Sequence, residues 1–258
     1  MFRRIVSFNY WNSAIVLARS YTQRQYKNSV LGFCWGLIPP CIQIIVMSYI
    51  FSSLLNQPQN YMVLSLAVGI PLWSFLCVSL GGITNSLVSN GYILKKCTIS
   101  RTIFPIADFM VQLYNMFFTL FVMYITAILL LSSVLNYSII YLPVVLIPFI
   151  IFVFGLSIAF TFLTPYIRDI PQLVQTLLNV FYWSVPIVYP YSMIPESKRF
   201  LFEINPLFIV IRPIQVLMID GNFPSFILVC KSYLIASISI IIAFIVYRVF
   251  SKNVIFYL

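Results

Sequence analysis

The 258-residue chain has no histidine, only five carboxylates, and a charged fraction of 8%. Without histidine, imidazole acid–base catalysis and His-ligated metal sites are excluded. The acids Asp108, Asp169, Glu196, Glu203 and Asp220 are scattered, so no compact acid–base or metal constellation of a membrane phosphatase or glycosyltransferase emerges. No GxxxxGK[ST] loop is present, which removes ATP hydrolysis by the P-loop route. The five cysteines (Cys34, Cys41, Cys77, Cys97, Cys230) form no CxxC pair, are odd in number and lie mostly in apolar runs. They read as small packing residues, not as a disulfide framework.

What is present is apolar. Hydrophobic residues make up 62% of the chain and the mean hydropathy is +1.01. A soluble domain keeps roughly 25% charged residues because its surface must face water. A chain this poor in charge has lipid as much of its solvent. Six apolar runs stand out, near residues 31–54, 62–88, 104–132, 139–164, 171–188 and 226–250. Each suits a helix of about 20 residues crossing roughly 30 Å of hydrocarbon. The expected fold is therefore an all-α integral membrane protein with six transmembrane helices. Between the last two runs, Leu207 to Ile219 is apolar but too short to span and is interrupted by Arg212-Pro213. It reads as a re-entrant or interfacial segment before the last span.

Basic residues set the expected orientation. With the N-terminus inside, Arg3, Arg4, Arg19, Arg24, Lys27, Lys95, Lys96, Arg101, Arg168, Arg248 and Lys252 lie inside. Lys198, Arg199, Arg212 and Lys231 lie outside. That bias places both termini in the cytoplasm, and it accounts for the net charge of +10 without nucleic acid. The first 25 residues do not read as a cleaved signal peptide, because Asn9, Asn12 and Ser13 interrupt the apolar stretch. Instead Phe8, Trp11, Ile15 and Ala18 recur at helical spacing, with Asn12, Arg19 and Gln23 elsewhere on the wheel. This suits an amphipathic helix in the cytoplasmic headgroup layer, giving an interface segment over 1–30 and a membrane domain over 31–258.

No ionisable group lies near the centre of a span; Asp108 is one turn inside the third run. Ion-coupled transporters place such groups at mid-depth, so an ion-driven mechanism is disfavoured and any active transport is driven from outside the chain. The inner loop SNGYILKKCTISRTI (89–103) has room for one or two short helices carrying Tyr92, Lys95, Lys96 and Arg101. Its cations either bind lipid phosphates or an acidic partner groove, or simply obey the positive-inside rule. Prolines at Pro39-Pro40, Pro71, Pro105, Pro148, Pro171 and Pro186 mark kinks or hinges. Aromatics in or beside the spans, among them Trp35, Tyr49, Trp73, Tyr182, Trp183 and Tyr189, serve either as interfacial belts or as platforms for sugar rings.

Four segments in order, RQYKNSVLGFCWGLIPP (24–40), KK…RTIFP (95–105), RDIPQLVQTLLNVFYWSVPIVYPYSMIP (168–195) and NPLFIVIRPIQ (205–215), cover much of the chain. Together they resemble the membrane subunit of bacterial ABC exporters for polysaccharides, the permeases for O-antigen, capsule and teichoic acid. The resemblance implies a homodimeric permease in the bacterial inner membrane, bound to two copies of a separate nucleotide-binding ATPase. That partner would hold the ATP and Mg, leaving this chain without a cofactor and without enzyme activity of its own. It implies a lipid-linked polysaccharide as substrate, most of all O-antigen. Tyr92, Lys95, Lys96, Arg101, Arg168 and Asp169 would then form the ATPase coupling and gate region. Arg24, Tyr26, Lys27, Ser29 and Gly32 would lie where a lipid pyrophosphate enters, and Trp35, Tyr49, Tyr182 and Trp183 would line the channel. The alternatives are a type 2 ABC permease for small lipids or drugs and, more remotely, a membrane enzyme acting on polyprenyl-linked sugars.

Overall fold

Proline punctuation sets where many of the helices begin. In the computed structural model, which describes residues 8–27, 29, 32–97, 99–131 and 137–258, Pro39-Pro40 do not kink the first span. They open it: helix α2 (Ile38–Leu55) carries proline in its first turn, after a 3-10 turn at Gly32–Gly36. There the missing N–H has no intrahelical partner to lose. The same logic starts α7 (Leu142–Leu163) with Pro143, α8 (Ile170–Phe181) with Pro171 and α10 (Pro206–Met218) with Pro206. Helix α2 stops at Asn56, whose φ of 50° is the left-handed cap conformation asparagine tolerates. Pro58 then leads into α3 (Gln59–Gly81).

The other elements are α1 (Phe8–Tyr26), the short α4 (Ser86–Ser89) and α5 (Gly91–Lys96), α6 (Ile103–Leu131), α9 (Glu196–Ile204), α11 (Phe226–Phe250) and α12 (Val254–Tyr257). No strand occurs among the described residues. Among the described residues, five segments are long and apolar enough to cross a membrane unbroken: Cys34–Leu55, Gln59–Ser89, Ile103–Leu129, Ser138–Leu163 and Phe226–Phe250. Helix α3 is the hub, with 72% of its apolar window buried against 22% for α11 and 11% for α2. Its neighbours include α2, α6, α7 and α8.

The fifth crossing in chain order differs from the continuous helix that the apolar run at 171–188 suggests. Helix α8 has 12 residues, a 3-10 turn follows at Tyr182–Ser184, and the chain then runs irregularly to Pro190. Contacts along α7 and α11 nevertheless require a crossing here. The Tyr233 hydroxyl donates to Val144 O, Ser239 Oγ to Ile151 O and Tyr166 to Phe250 O, while Phe162 packs edge-on against Tyr247. The sequence numbers rise together, so α7 and α11 are parallel, and the chain must return between them.

The returning strand of chain lies along α3. Gln175 abuts Gly81, and Ile187 abuts Gly69 and accepts from Ser65 Oγ at 3.1 Å. From Ser65 to Gly81 an α-helix rises about 24 Å, most of the roughly 30 Å hydrocarbon thickness. Six crossings result, with both ends of the 190–225 stretch on the same side. Helices α9 and α10 therefore form a re-entrant pair, bent by 106° at Asn205. Asn205 caps α10 by accepting from the Leu207 N–H at 3.0 Å.

Close packing replaces hydrophobic driving force between helices in lipid. A Cβ added to Gly155 would lie 2.7 Å from the Ser239 carbonyl carbon, so α7 and α11 touch backbone to backbone. Ser157 Oγ reaches Ser79 O at 3.1 Å and Thr161 Oγ1 reaches Ile83 O at 3.2 Å, tying α7 to α3 and to the 3-10 turn (Ile83–Asn85) that follows it. One apolar cluster centres on α3, α6, α7 and α10. A second, at the end where α1 lies (the near end), joins Tyr10, Leu94, Phe104, Phe162, Ala243 and Val254.

Candidate functional site

The α8 crossing carries the first part of the site. Val174 and Leu178 are buried, while Gln172, Thr176, Asn179 and Trp183 are exposed along one face at i, i+4, i+7 and i+11. A polar stripe at membrane depth does not belong against acyl chains; it faces protein or a wet pathway. The exposed face of α11 is the contrast, being Leu234, Ile238, Ile241, Ile245 and Val249. The α8 flank is mixed, its polar stripe running beside the exposed apolar residues Leu173, Leu177 and Val180.

Beside that stripe, α2, α3 and α8 enclose a cleft of about 350 Å³ lined by Gln43, Ile70, Trp73, Ser74, Cys77, Asn179 and Tyr182. Trp73 and Tyr182 meet edge to face, 5.4 Å between centroids, and Tyr182 meets Trp183 at the same distance. The Tyr182 hydroxyl is buried with no hydrogen-bond partner among the described residues. Aromatic faces next to amide and hydroxyl groups match the two sides of a sugar: its apolar ring face and its hydroxyl rim. Tyr182 lines this cleft, and Trp183 packs edge-on against that ring without lining the cleft. Trp35, in the 3-10 turn before α2, and Tyr49, on α2, are exposed and do not line the cleft. Trp73 is a belt-or-platform aromatic in the sequence and joins the wall only in the fold, while Gln43 and Asn179 carry no comparable mark of their own. The spacing of Gln172, Thr176, Asn179 and Trp183 was the signal that marks this face.

At the near end, α5 projects Tyr92, Lys95 and Lys96 outward. Lys96 Nζ donates to the Tyr92 hydroxyl and stands 4.1 Å from its ring centroid. The base of the loop is fixed: Arg101 Nη1 donates to Lys252 O at 3.3 Å, and Leu258 packs against Gly91. Arg168 and Asp169 are exposed at the start of α8, separated in sequence from this loop but also following a near-end helix terminus.

Helix α1 runs along α6. Tyr10 shares a hydrogen bond of 2.7 Å with Thr102 Oγ1, and Tyr21 donates to Asn90 Oδ1 at 3.4 Å. Burial pushes the Tyr21 phenol up to about 12, and Asp108 adds to the rise, so it stays a donor. The face buried on the bundle includes Tyr10 and Ala14, while Trp11 and Ile15 remain exposed. Beyond α1, Ser29 Oγ accepts from the Gly32 N–H at 3.1 Å, closing a turn in which Gly32 takes φ +48°. Glycine has no Cβ to oppose that backbone. Arg24 and Lys27 are exposed; the Tyr26 side chain, Arg3 and Arg4 lie outside the described residues.

Residues 13–219 match the family described as ABC-2 type transporter. The chain is also similar to proteins of Klebsiella pneumoniae named O-antigen export system permease protein RfbA. One is 28% identical over 211 residues, covering 80% of each chain. Another is 26% identical over 210 residues, covering 81% of this chain and 80% of that one. A Myxococcus xanthus protein of the same name is 21% identical over 223 residues, covering 84% of each.

Proposed function

The chain belongs to the ABC-2 type transporter family, and from that premise we propose that it is the permease subunit of an ATP-driven exporter of a lipid-linked polysaccharide, most of all O-antigen. The observation that carries the substrate class is the cleft of Trp73 and Tyr182 beside Gln43, Ser74 and Asn179 at membrane depth. The names of its relatives point the same way. Two copies pair across their α2 and α8 flanks, so that two polar stripes enclose one pathway. Tyr49 and Trp183, exposed on those flanks, add to its wall.

Two nucleotide-binding ATPase subunits dock on the near end, which faces the cytoplasm of the bacterial cell and carries both termini. Tyr92, Lys95, Lys96 and Arg101 receive the stroke, and Arg168-Asp169 transmit it into α8. Helix α1 lies in the headgroup layer with Trp11 and Ile15 toward lipid. Arg24 and Lys27 attract the lipid pyrophosphate to the Ser29–Gly32 turn. Sugar rings slide over aromatic faces, while the amide side chains exchange hydrogen bonds with successive hydroxyls. Such weak, repeated contacts suit passage better than tight binding.

The test is deletion of the chain followed by measurement of surface glycan. Loss of surface polymer, with lipid-linked polymer accumulating on the inner leaflet, is expected; Trp73→Ala and Tyr182→Ala restore the ATPase complex but not full export. Normal surface glycan after deletion, with no second exporter present, refutes the proposal.

A further inference from the structure

At the end opposite α1, the re-entrant pair and the start of α11 enclose a second cavity, about 220 Å³, in which charges of both signs are left over. Its lining includes Tyr191, Glu203, Arg212, Ser225, Ile227 and Lys231. Arg212 is already neutralised: its Nη2 lies 3.1 Å from Asp220 Oδ2. Glu203 accepts only the Tyr191 hydroxyl, at 3.1 Å, and neither Glu203 nor Lys231 forms an ion pair among the described residues. A carboxylate and an ammonium thus line one cavity without bridging it. Tyr191 is fixed beside Glu203, stacked on Phe208 at 5.4 Å with the Arg212 guanidinium 5.1 Å from its ring.

Position supplies the second half of the argument. Lys231 is five residues into α11, about 7.5 Å below its start, where a lysine stem reaches up to the interface. Phe226 and Ile227 beside it are strongly exposed apolar residues, as expected of a surface facing acyl chains. Glu203 and Lys231 are both exposed at the cavity mouth, within reach of the headgroup layer, and a ligand bearing both a phosphate and an amine would pair with both.

We infer that this cavity holds the headgroup of a zwitterionic aminophospholipid of the adjoining leaflet, its phosphate on Lys231 and its ammonium on Glu203. The bound lipid cements the re-entrant pair to the last span at the mouth of the bundle. The inference depends on the membrane fold and not on what the protein exports.

The test uses the full chain in mixed micelles holding equal phosphatidylethanolamine and phosphatidylglycerol, with retained lipid read by native mass spectrometry. The wild type should retain phosphatidylethanolamine over phosphatidylglycerol by about tenfold. Glu203→Gln, which leaves the pocket positive, should turn the preference toward phosphatidylglycerol. Lys231→Gln should lose both lipids, and Lys231→Arg should keep the wild-type pattern. Equal retention of the two lipids by the wild type, an unchanged ratio in Glu203→Gln, or a lipid-linked glycan in place of the phospholipid would each overturn it.

Discussion

The irregular stretch after α8 should depend on two side chains for its stability. Between Val185 and Pro190 the backbone is not helical, yet Val185, Pro186, Ile187 and Val188 are buried. In hydrocarbon such carbonyls need donors from protein. Gln215 Nε2 supplies one to Pro186 O at 2.7 Å, and Ser65 Oγ supplies the next to Ile187 O at 3.1 Å. Replacing Gln215 by methionine keeps the volume and removes the donor. An orphaned buried carbonyl costs about 1–3 kcal/mol, although hydrogen bonds between membrane helices average only about 0.6 kcal/mol. Gln215 Oε1 has no partner among the described residues, so its removal offsets part of the loss. The net expectation for Gln215→Met is about 1 kcal/mol. Adding Ser65→Ala orphans the neighbouring carbonyl and should bring the total to about 2–3 kcal/mol. At about 2–4 °C per kcal/mol for a chain of this size, the double variant should melt several degrees below the wild type. Hydrogen exchange over 185–190 should rise in step. A double variant that melts with the wild type, with unchanged exchange at those amides, would show that other groups hold this stretch.

Three further outcomes are expected. Gly155→Ala forces a methyl into the Ser239 backbone and should destabilise by about 1–3 kcal/mol, read as a lower melting temperature; an unchanged melt would mean that α7 and α11 part freely. Charge reversal at Lys95, Lys96 and Arg101 together should reduce recovery of the ATPase partner on affinity purification, while full recovery and full export would leave these cations as topology signals only. Tyr10→Phe removes the 2.7 Å bond to Thr102 and should lower stability by about 1 kcal/mol, with the near-end loop exchanging faster in hydrogen–deuterium measurements.

Sequence by itself determined the solvent, the number of crossings and the re-entrant character of the segment before the last one. These follow from run length and charge scarcity, which act locally and need no knowledge of neighbours; the break expected at Arg212-Pro213 falls instead at Asn205, and α10 runs unbroken through Pro213. Sequence also marked Tyr182 and Trp183 as notable, because large aromatics in apolar runs are visible wherever they point. Only the tertiary structure decided that Pro39-Pro40 begin a helix and do not bend one, since a proline's effect depends on which donors its helix lacks. The α1 surface was legible in part: Phe8, Trp11, Ile15 and Ala18 share a stripe, but the bundle buries Tyr10 and Ala14 on the adjoining one. The fifth crossing was legible as an apolar run but not as half helix and half irregular chain. That form is possible only because Ser65 and Gln215, 122 and 29 residues away from their acceptors, arrive to satisfy its carbonyls. Trp73 and Tyr182 became one cleft for the same reason: chain separation conceals a pairing that helix packing alone creates.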